Sequence, residues 1–117
     1  MKFYLVKYTH TDFEGWKKHL LPHIQFIQEH IKAGDLLMSG PIQDSPKDKK
    51  EALLIFKAKD KDSLLAEIKK DPYWKENLIS DYQINEWNPM FGLLGFSAEK
   101  MEEGLKNPEL ISKLINK

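Results

Sequence analysis

Neither cysteine nor arginine occurs anywhere in the 117 residues, and each absence closes off a class of chemistry. Without cysteine there is no disulfide framework, no thiolate nucleophile and no thiolate metal site. Without arginine there is no planar guanidinium fork to clamp a carboxylate or phosphate at two points. The 18 cationic residues are all lysines, and 18 acids bring the net charge to zero. The basic surface that nucleic-acid binders lean on is therefore missing too. No apolar run approaches the ~18 residues that span a bilayer. Met1-Lys2 leads straight into an alternating segment rather than a secretory leader. These features predict a cytoplasmic protein without nucleic-acid or membrane partners.

What is present is ordinary for a globular chain, 41% hydrophobic and 31% charged, with length for one core that buries roughly two-thirds of the unfolded surface. Residues 2–8 alternate and are rich in aromatic and β-branched types, which predicts a first strand. Thr11 and Glu14 have capping-box spacing, so a helix is expected from there. Phe13, Leu20, Ile24, Ile27 and Ile31 recur at helical intervals as its apolar face. Gly34 ends it in a left-handed cap, and Pro22 either kinks it or splits off its first turns. Residues 36–39 form a short second strand stopped by Gly40-Pro41. Residues 44–50 read as a solvated loop, and 52–58 as a third strand. Asp60 or Asp62 caps a second helix over 63–70 that Pro72 stops. Residues 82–87 alternate as a fourth strand. The order is β-α-β-β-α-β, an α+β ferredoxin-like fold with a four-stranded antiparallel sheet and two helices on one face.

Face counting adds an oligomeric expectation. Phe3 and Leu5 point opposite to Tyr4, Val6 and Tyr8, and Leu53 and Ile55 point opposite to Leu54 and Phe56. Both strands are apolar on both faces, and in this topology they are the central pair. Two helices cover one face only, so the other needs a cover. A second copy packed sheet against sheet across a two-fold axis supplies it, which predicts a homodimer.

The tail is a separate segment: residues 1–89 form the domain and 90–117 a helical extension. Residues 90–96 are apolar and glycine-punctuated. Ser97 caps one short helix, and Asn107-Pro108 opens another with proline in its first turn. Leu110, Ile111, Leu114 and Ile115 form a stripe that needs a docking surface: its own domain, a partner copy or another protein.

The candidate functional residues are His23, Ser39-Gly40-Pro41 and Asp71-Pro72-Tyr73. With His23-Ile24, Gly34-Asp35-Leu36-Leu37, Ser39-Gly40-Pro41 and Asp71-Pro72-Tyr73 in this order, the chain resembles the YciI-like (YCII-related) family over roughly residues 1–89. The motifs are specific only jointly, in their order and spacing. The resemblance implies a dimeric ferredoxin-like α+β barrel and a His–Asp dyad, His23 with Asp71, set in a cleft. It implies acid–base catalysis on a small organic molecule; the expectation built on it is an elimination or isomerisation of a small cyclic or aromatic compound without a cofactor. Relatives with this fold include muconolactone isomerases and cofactor-free monooxygenases, so the neighbouring chemistry is small-aromatic catabolism. The departures are Pro22 directly before His23 and the tail, which lies outside the family pattern.

Each residue also has a plain structural reading. His23 sits beside Ile24 at the edge of the apolar face and suits a half-buried histidine bonded to a backbone carbonyl. Asp71 suits a helix stop, Ser39-Gly40-Pro41 a turn, and Tyr73 with Trp74 the core; Asp35 reads as a solvated turn residue. In the functional reading, Asp71 orients His23 and leaves its other nitrogen to exchange a proton, Ser39 and Gly40 approach a ligand, and Tyr73 walls an aromatic pocket. His19 and His23 have the i,i+4 spacing of a metal pair, but the glutamate of a zinc-protease motif is absent and His30 is too far along the helix, so no metal is expected. No phosphate loop or dinucleotide fingerprint is present. Two readings stay open: a His–Asp enzyme, lyase or isomerase, or a module that binds a small molecule or a partner without chemistry.

Overall fold

In the computed structural model, which describes residues 1–116, the early alternation becomes strand β1 (Lys2–His10), with Tyr4, Val6, Tyr8 and His10 buried on one face. The strand runs two residues past the expected end because the alternation continues: His10 takes the next inward position after Tyr8. β1 pairs antiparallel with β3 (Lys50–Ala58) on one side and β4 (Asp81–Trp87) on the other, and β2 (Leu36–Pro41) lies outside β3. The order β2-β3-β1-β4 is that of the ferredoxin-like α+β fold, with β1 and β3 central as expected.

Helices α1 (Phe13–Lys18) and α2 (Leu20–Ala33) connect β1 to β2; α3 (Lys61–Ile68) and α4 (Pro72–Lys75) connect β3 to β4. Phe26 of α2 and Leu64 and Ile68 of α3 share one core with Tyr4, Val6, Tyr8, Leu36, Leu54 and Phe56. The first expected helix is two. His19 is the junction, and Pro22 falls in the first turn of α2, where a missing amide costs nothing. The cap of α1 is Asp12 rather than Thr11: its carboxylate accepts the Gly15 N–H at 3.0 Å, which puts Glu14 one position too early for a capping box.

The apolar face of α2 is also rotated from the expected one. Phe26 is the buried residue, while Ile24 and Ile31 are about half exposed. The inward positions are His23, Phe26, Ile27 and His30, spaced i, i+3, i+4 and i+7. A tally of apolar residues misses a stripe whose ends are histidines. Pro72 likewise does more than stop a helix: it is the first residue of α4, with Asp71 as its cap. Of the two candidates for capping α3, Asp60 does so, accepting the Ser63 N–H at 2.8 Å.

β2 runs through Gly40-Pro41 instead of stopping before them, which an edge strand tolerates. Its register against β3 slips between Leu36 and Met38. That bulge reverses the faces: Leu36 opposes core residue Phe56, but beyond it Ser39 and Pro41 oppose Leu54 and Ala52. Ser39 and Pro41 therefore turn toward the helix side. The outer face carries Phe3, Leu5, Met38, Leu53, Ile55 and Trp87, of which Met38, Leu53 and Trp87 are exposed.

The chain packs as two units, Met1–Trp87 and Asn88–Lys117. In the second, Ser97 caps α5 (Ala98–Lys106) and Asn107 caps α6 (Pro108–Ile115), as expected. Residues 90–96 form no strand, only an isolated Phe91–Phe96 bridge. The side chains of Leu110, Ile111, Leu114 and Ile115 lie outside the described residues, and the expected docking stripe with them. Among the described residues no helix is long and apolar enough to cross a membrane.

Gly34 closes α2 at φ 88°, a conformation that strains any residue with a Cβ. The space around it is open, so backbone strain is the only cost of adding a methyl. Gly34→Ala is expected to lower unfolding free energy by about 1 kcal/mol, read as a shifted urea midpoint at constant slope.

Candidate active site

Pro72 ends helical geometry in the residue before it, so Asp71 is extended and its side chain swings back over the start of α4. There Oδ1 accepts the Tyr73 N–H at 3.0 Å. The carboxylate is wholly buried, a position that demands partners for its remaining lone pairs. His23, inward on α2, supplies one: Nδ1 lies 2.9 Å from both carboxylate oxygens. Because a carboxylate accepts, the hydrogen is on Nδ1, and Nε2 is the nitrogen left for proton exchange. The expected pair is thus within hydrogen-bond reach. The backbone-carbonyl bond considered for His23 belongs to a different histidine, described below.

Tyr73 fixes the imidazole plane. Its ring stacks on His23 with centroids 4.1 Å apart and planes 16° apart, and its hydroxyl donates to the Trp16 carbonyl at 2.8 Å. Burial, aided by the Asp71 charge, holds the Tyr73 hydroxyl well above the usual tyrosine range, so it remains a neutral donor. One face of His23 is thereby covered.

His23, Tyr73, Ser39, Gly40 and Pro41 line a single cavity of about 650 Å³, within the range of small-molecule sites. Asp71 lies behind His23 and Tyr73 rather than on the wall. Trp74 packs against Tyr8 and Tyr82 instead. The loop read as merely solvated contributes Ser45, Pro46, Lys47 and Lys49 to the rim. Lys50 sits beside them, its ammonium 4.7 Å from the Trp16 ring centre and 5.1 Å from that of Phe13. The lining thus carries Lys47, Lys49 and Lys50 together with Glu51, and the aromatic rings of Phe13, Trp16 and Tyr73.

Two inward residues of β1 line the cavity without being among the candidate functional residues of the sequence, although the period-two pattern points to both. His10 is buried, lines the same cavity, and its Nδ1–H donates to the Leu78 carbonyl at 2.7 Å. Burial lowers its pKa below the usual histidine value, outweighing the Leu78 bond that acts the other way. Tyr8 lies two residues before it, its hydroxyl buried without a hydrogen-bond partner among the described residues. Burial and then the Asp71 charge push that hydroxyl far up.

Away from the cavity, His30 bonds Asp35 through Nδ1 at 2.9–3.0 Å, with Glu67 3.9 Å from Nε2. It is the close group of histidine and carboxylates among the described residues that could hold an ion; His19 is in no such group. Asp35 and Lys70 already engage His30 and Glu67 respectively, so the group reads as a tie between the end of α2 and α3. Asp35 is therefore a bonded residue rather than a solvated one.

The buried Tyr8 hydroxyl makes no hydrogen bond among the described residues to offset its desolvation. Tyr8→Phe is expected to leave stability unchanged or raise it by up to about 1 kcal/mol, measured by chemical denaturation. For His10 the folded pKa lies below the ordinary value of 6.5, so the unfolded chain takes the proton first. The stability tied to a neutral His10 is full above pH 6.5 and is lost as pH falls from there toward the folded pKa. His10→Gln is expected to flatten that part of the acid limb, seen as melting temperature against pH.

No curated protein matches the chain in sequence. Among solved structures it is similar to 5-chloro-2-hydroxyhydroquinone dehydrochlorinase (TftG) from Burkholderia phenoliruptrix AC1100, solved with 2,5-dihydroxybenzoquinone. The TM-score is 0.64 and the identity 16%, over 80% of this chain and 99% of that one. A conserved protein from Methanosarcina mazei Go1 gives a TM-score of 0.48 at 18% identity, over 75% of this chain and 93% of that one. MupZ from Pseudomonas fluorescens gives 0.48 at 14%, over 97% and 86%. At 16% identity the likeness to the dehydrochlorinase shows a shared fold and nothing further. The model of the YCII-related domain matches residues 1–88, three-quarters of the length, and the chain belongs to the YCII-related family.

Proposed function

We propose that this protein is a small, cofactor-independent acid–base enzyme, a lyase or isomerase, acting on a cyclic or aromatic compound as a cytoplasmic homodimer. The observation that carries the reading is the His23 Nδ1 bond, 2.9 Å to each oxygen of the buried Asp71, at the wall of a 650 Å³ cavity. Asp71 fixes the tautomer and plane of His23, which exchanges a proton with substrate through Nε2. Tyr73 backs the imidazole and, with Ser39, Gly40 and Pro41, shapes the ring-binding space.

The dehydrochlorinase likeness supports the reaction class, since loss of hydrogen chloride is an elimination and the quinone bound in that protein is a planar ring. Lys47, Lys49 and Lys50 in the lining suit a ring whose hydroxyl groups ionise readily. For the dimer, support comes from the apolar outer sheet face, where Met38, Leu53 and Trp87 are exposed.

The test is chloride release from 5-chloro-2-hydroxyhydroquinone by the wild type and by His23→Ala. Both proteins are checked by sedimentation equilibrium, in which a dimer is expected. His23→Ala is expected to lose at least ~100-fold in rate, the usual contribution of one positioned acid or base, without changing mass. Undiminished turnover in the variant would remove His23 from the chemistry. Thermal stabilisation by 2,5-dihydroxybenzoquinone with no product formed would make the protein a binding module that uses the same cavity.

A further inference from the structure

We propose that His10 is a second proton-transfer residue of this cavity, its Nε2 taking a proton from the substrate while His23 Nε2 delivers one at another atom of the same ring. The inference rests on the acid–base reading of the cavity and extends it from one histidine to two.

The two imidazoles are held alike and partnered differently. Each commits Nδ1–H to a buried oxygen, His10 to the Leu78 carbonyl at 2.7 Å and His23 to the Asp71 carboxylate at 2.9 Å. Each is therefore locked in the tautomer that leaves Nε2 for a ligand. Both line the cavity, and both pack on Tyr73: His23 stacked on its face at 4.1 Å, His10 edge-on at 4.9 Å. One ring thus sets the spacing of the two bases.

The partners divide the labour. His23 leans on an anion, which accompanies the imidazolium when the ring is protonated. His10 leans on a neutral carbonyl and is buried to 2% exposure. Burial keeps its pKa low, the nearby His23 adds to that, and Asp71 opposes it. The other titratable groups around His10 are Tyr8 on its own strand, Tyr73 on α4 and Lys50, its cross-strand partner on β3. Near neutral pH His10 is a base with an open lone pair. Two imidazoles with different partners at one cavity, one on a carboxylate and one on a neutral carbonyl, suit reactions that need a proton removed and a proton supplied.

The step balances without an oxidant or a cofactor. In an elimination, His10 takes a proton from substrate carbon or oxygen, and the freed electron pair becomes the new double bond. The leaving group departs with its own bonding pair and meets the proton from His23. In an isomerisation, the electron pair freed by His10 shifts through the ring and takes the His23 proton at a different ring atom. Either way the enzyme ends with His10 protonated and His23 neutral, and one proton exchanged with water through each restores both. The substrate class is a cyclic compound with an acidic hydrogen and, elsewhere on the ring, a leaving group or carbonyl oxygen.

Imidazole ¹⁵N spectra of the whole wild-type protein test this, recorded through the acid range with and without 2,5-dihydroxybenzoquinone. His10 is expected to remain in the neutral Nδ1–H form at pH 6.5, where an ordinary histidine is half protonated, and the quinone is expected to shift the Nε2 signals of both histidines. A shift at His23 alone would overturn the role of His10 and leave the dyad standing. A shift at neither would overturn both. For His10→Gln, checked for wild-type mass and melting, chloride release from 5-chloro-2-hydroxyhydroquinone is expected to fall at least ~100-fold, and the variant should lose the acid limb of its rate–pH profile. A full rate with the limb retained would leave His10 a purely structural group.

Discussion

A single buried carboxylate organises this molecule. Asp71 has no exposure, and an ionisable group in that position is tolerable only if each of its oxygens is engaged. The Tyr73 amide and the His23 imidazole engage them, and in doing so tie α4 to α2 across the layer of helices. Once that bond is made, the Tyr73 ring lies flat on His23. The Tyr73 hydroxyl then reaches the Trp16 carbonyl of α1, and the same ring packs against His10 of β1 in an edge contact. Three helices and the central strand are oriented by contacts that begin at one side chain. The cavity is the space these contacts leave open.

The fold was legible because its elements carry strong local signals. Alternation in residues 2–8 and 52–58, the glycine at position 34 and the proline at position 72 fix strands and breaks by sterics that tertiary contacts rarely overturn. The misreadings have separate physical origins. Apolar periodicity counts only apolar residues, and the inward stripe of α2 has His23 and His30 among its members, so the tally settled on exposed Ile24 and Ile31. At the start of α1, Thr11 and Asp12 are both able cap residues, and only the position of the Gly15 amide distinguishes them.

The candidate site was legible in part. His23 and Asp71 stand 48 positions apart, and no local rule joins them; their pairing came from the resemblance. The direction of Ser39 depends on the register slip in β2, a property of strand pairing that a single chain segment does not encode visibly. His10 is the instructive omission. Its alternation with Tyr4, Val6 and Tyr8 was readable, but a histidine at the end of an apolar strand invites reading as the strand's end.

The distribution of polar groups in the core makes the strongest case that this end of the molecule is built for chemistry. Tyr4, Val6, Leu54, Phe56, Leu64 and Ile68 make an interior without charge. At one end stand, instead, His10, Asp71 and the unpartnered Tyr8 hydroxyl, all fully or nearly buried. Apolar residues of similar volume in those places would pack without desolvating anything, and replacing buried ionic pairs that way is often neutral or stabilising. A sequence under pressure for stability alone gains nothing by gathering such groups at a single cavity. Scattered polar burial would weaken the core without creating a site. Concentrated burial, with tautomers fixed by hydrogen bonds and rings fixed by stacking, is the pattern expected where local consistency yields to function.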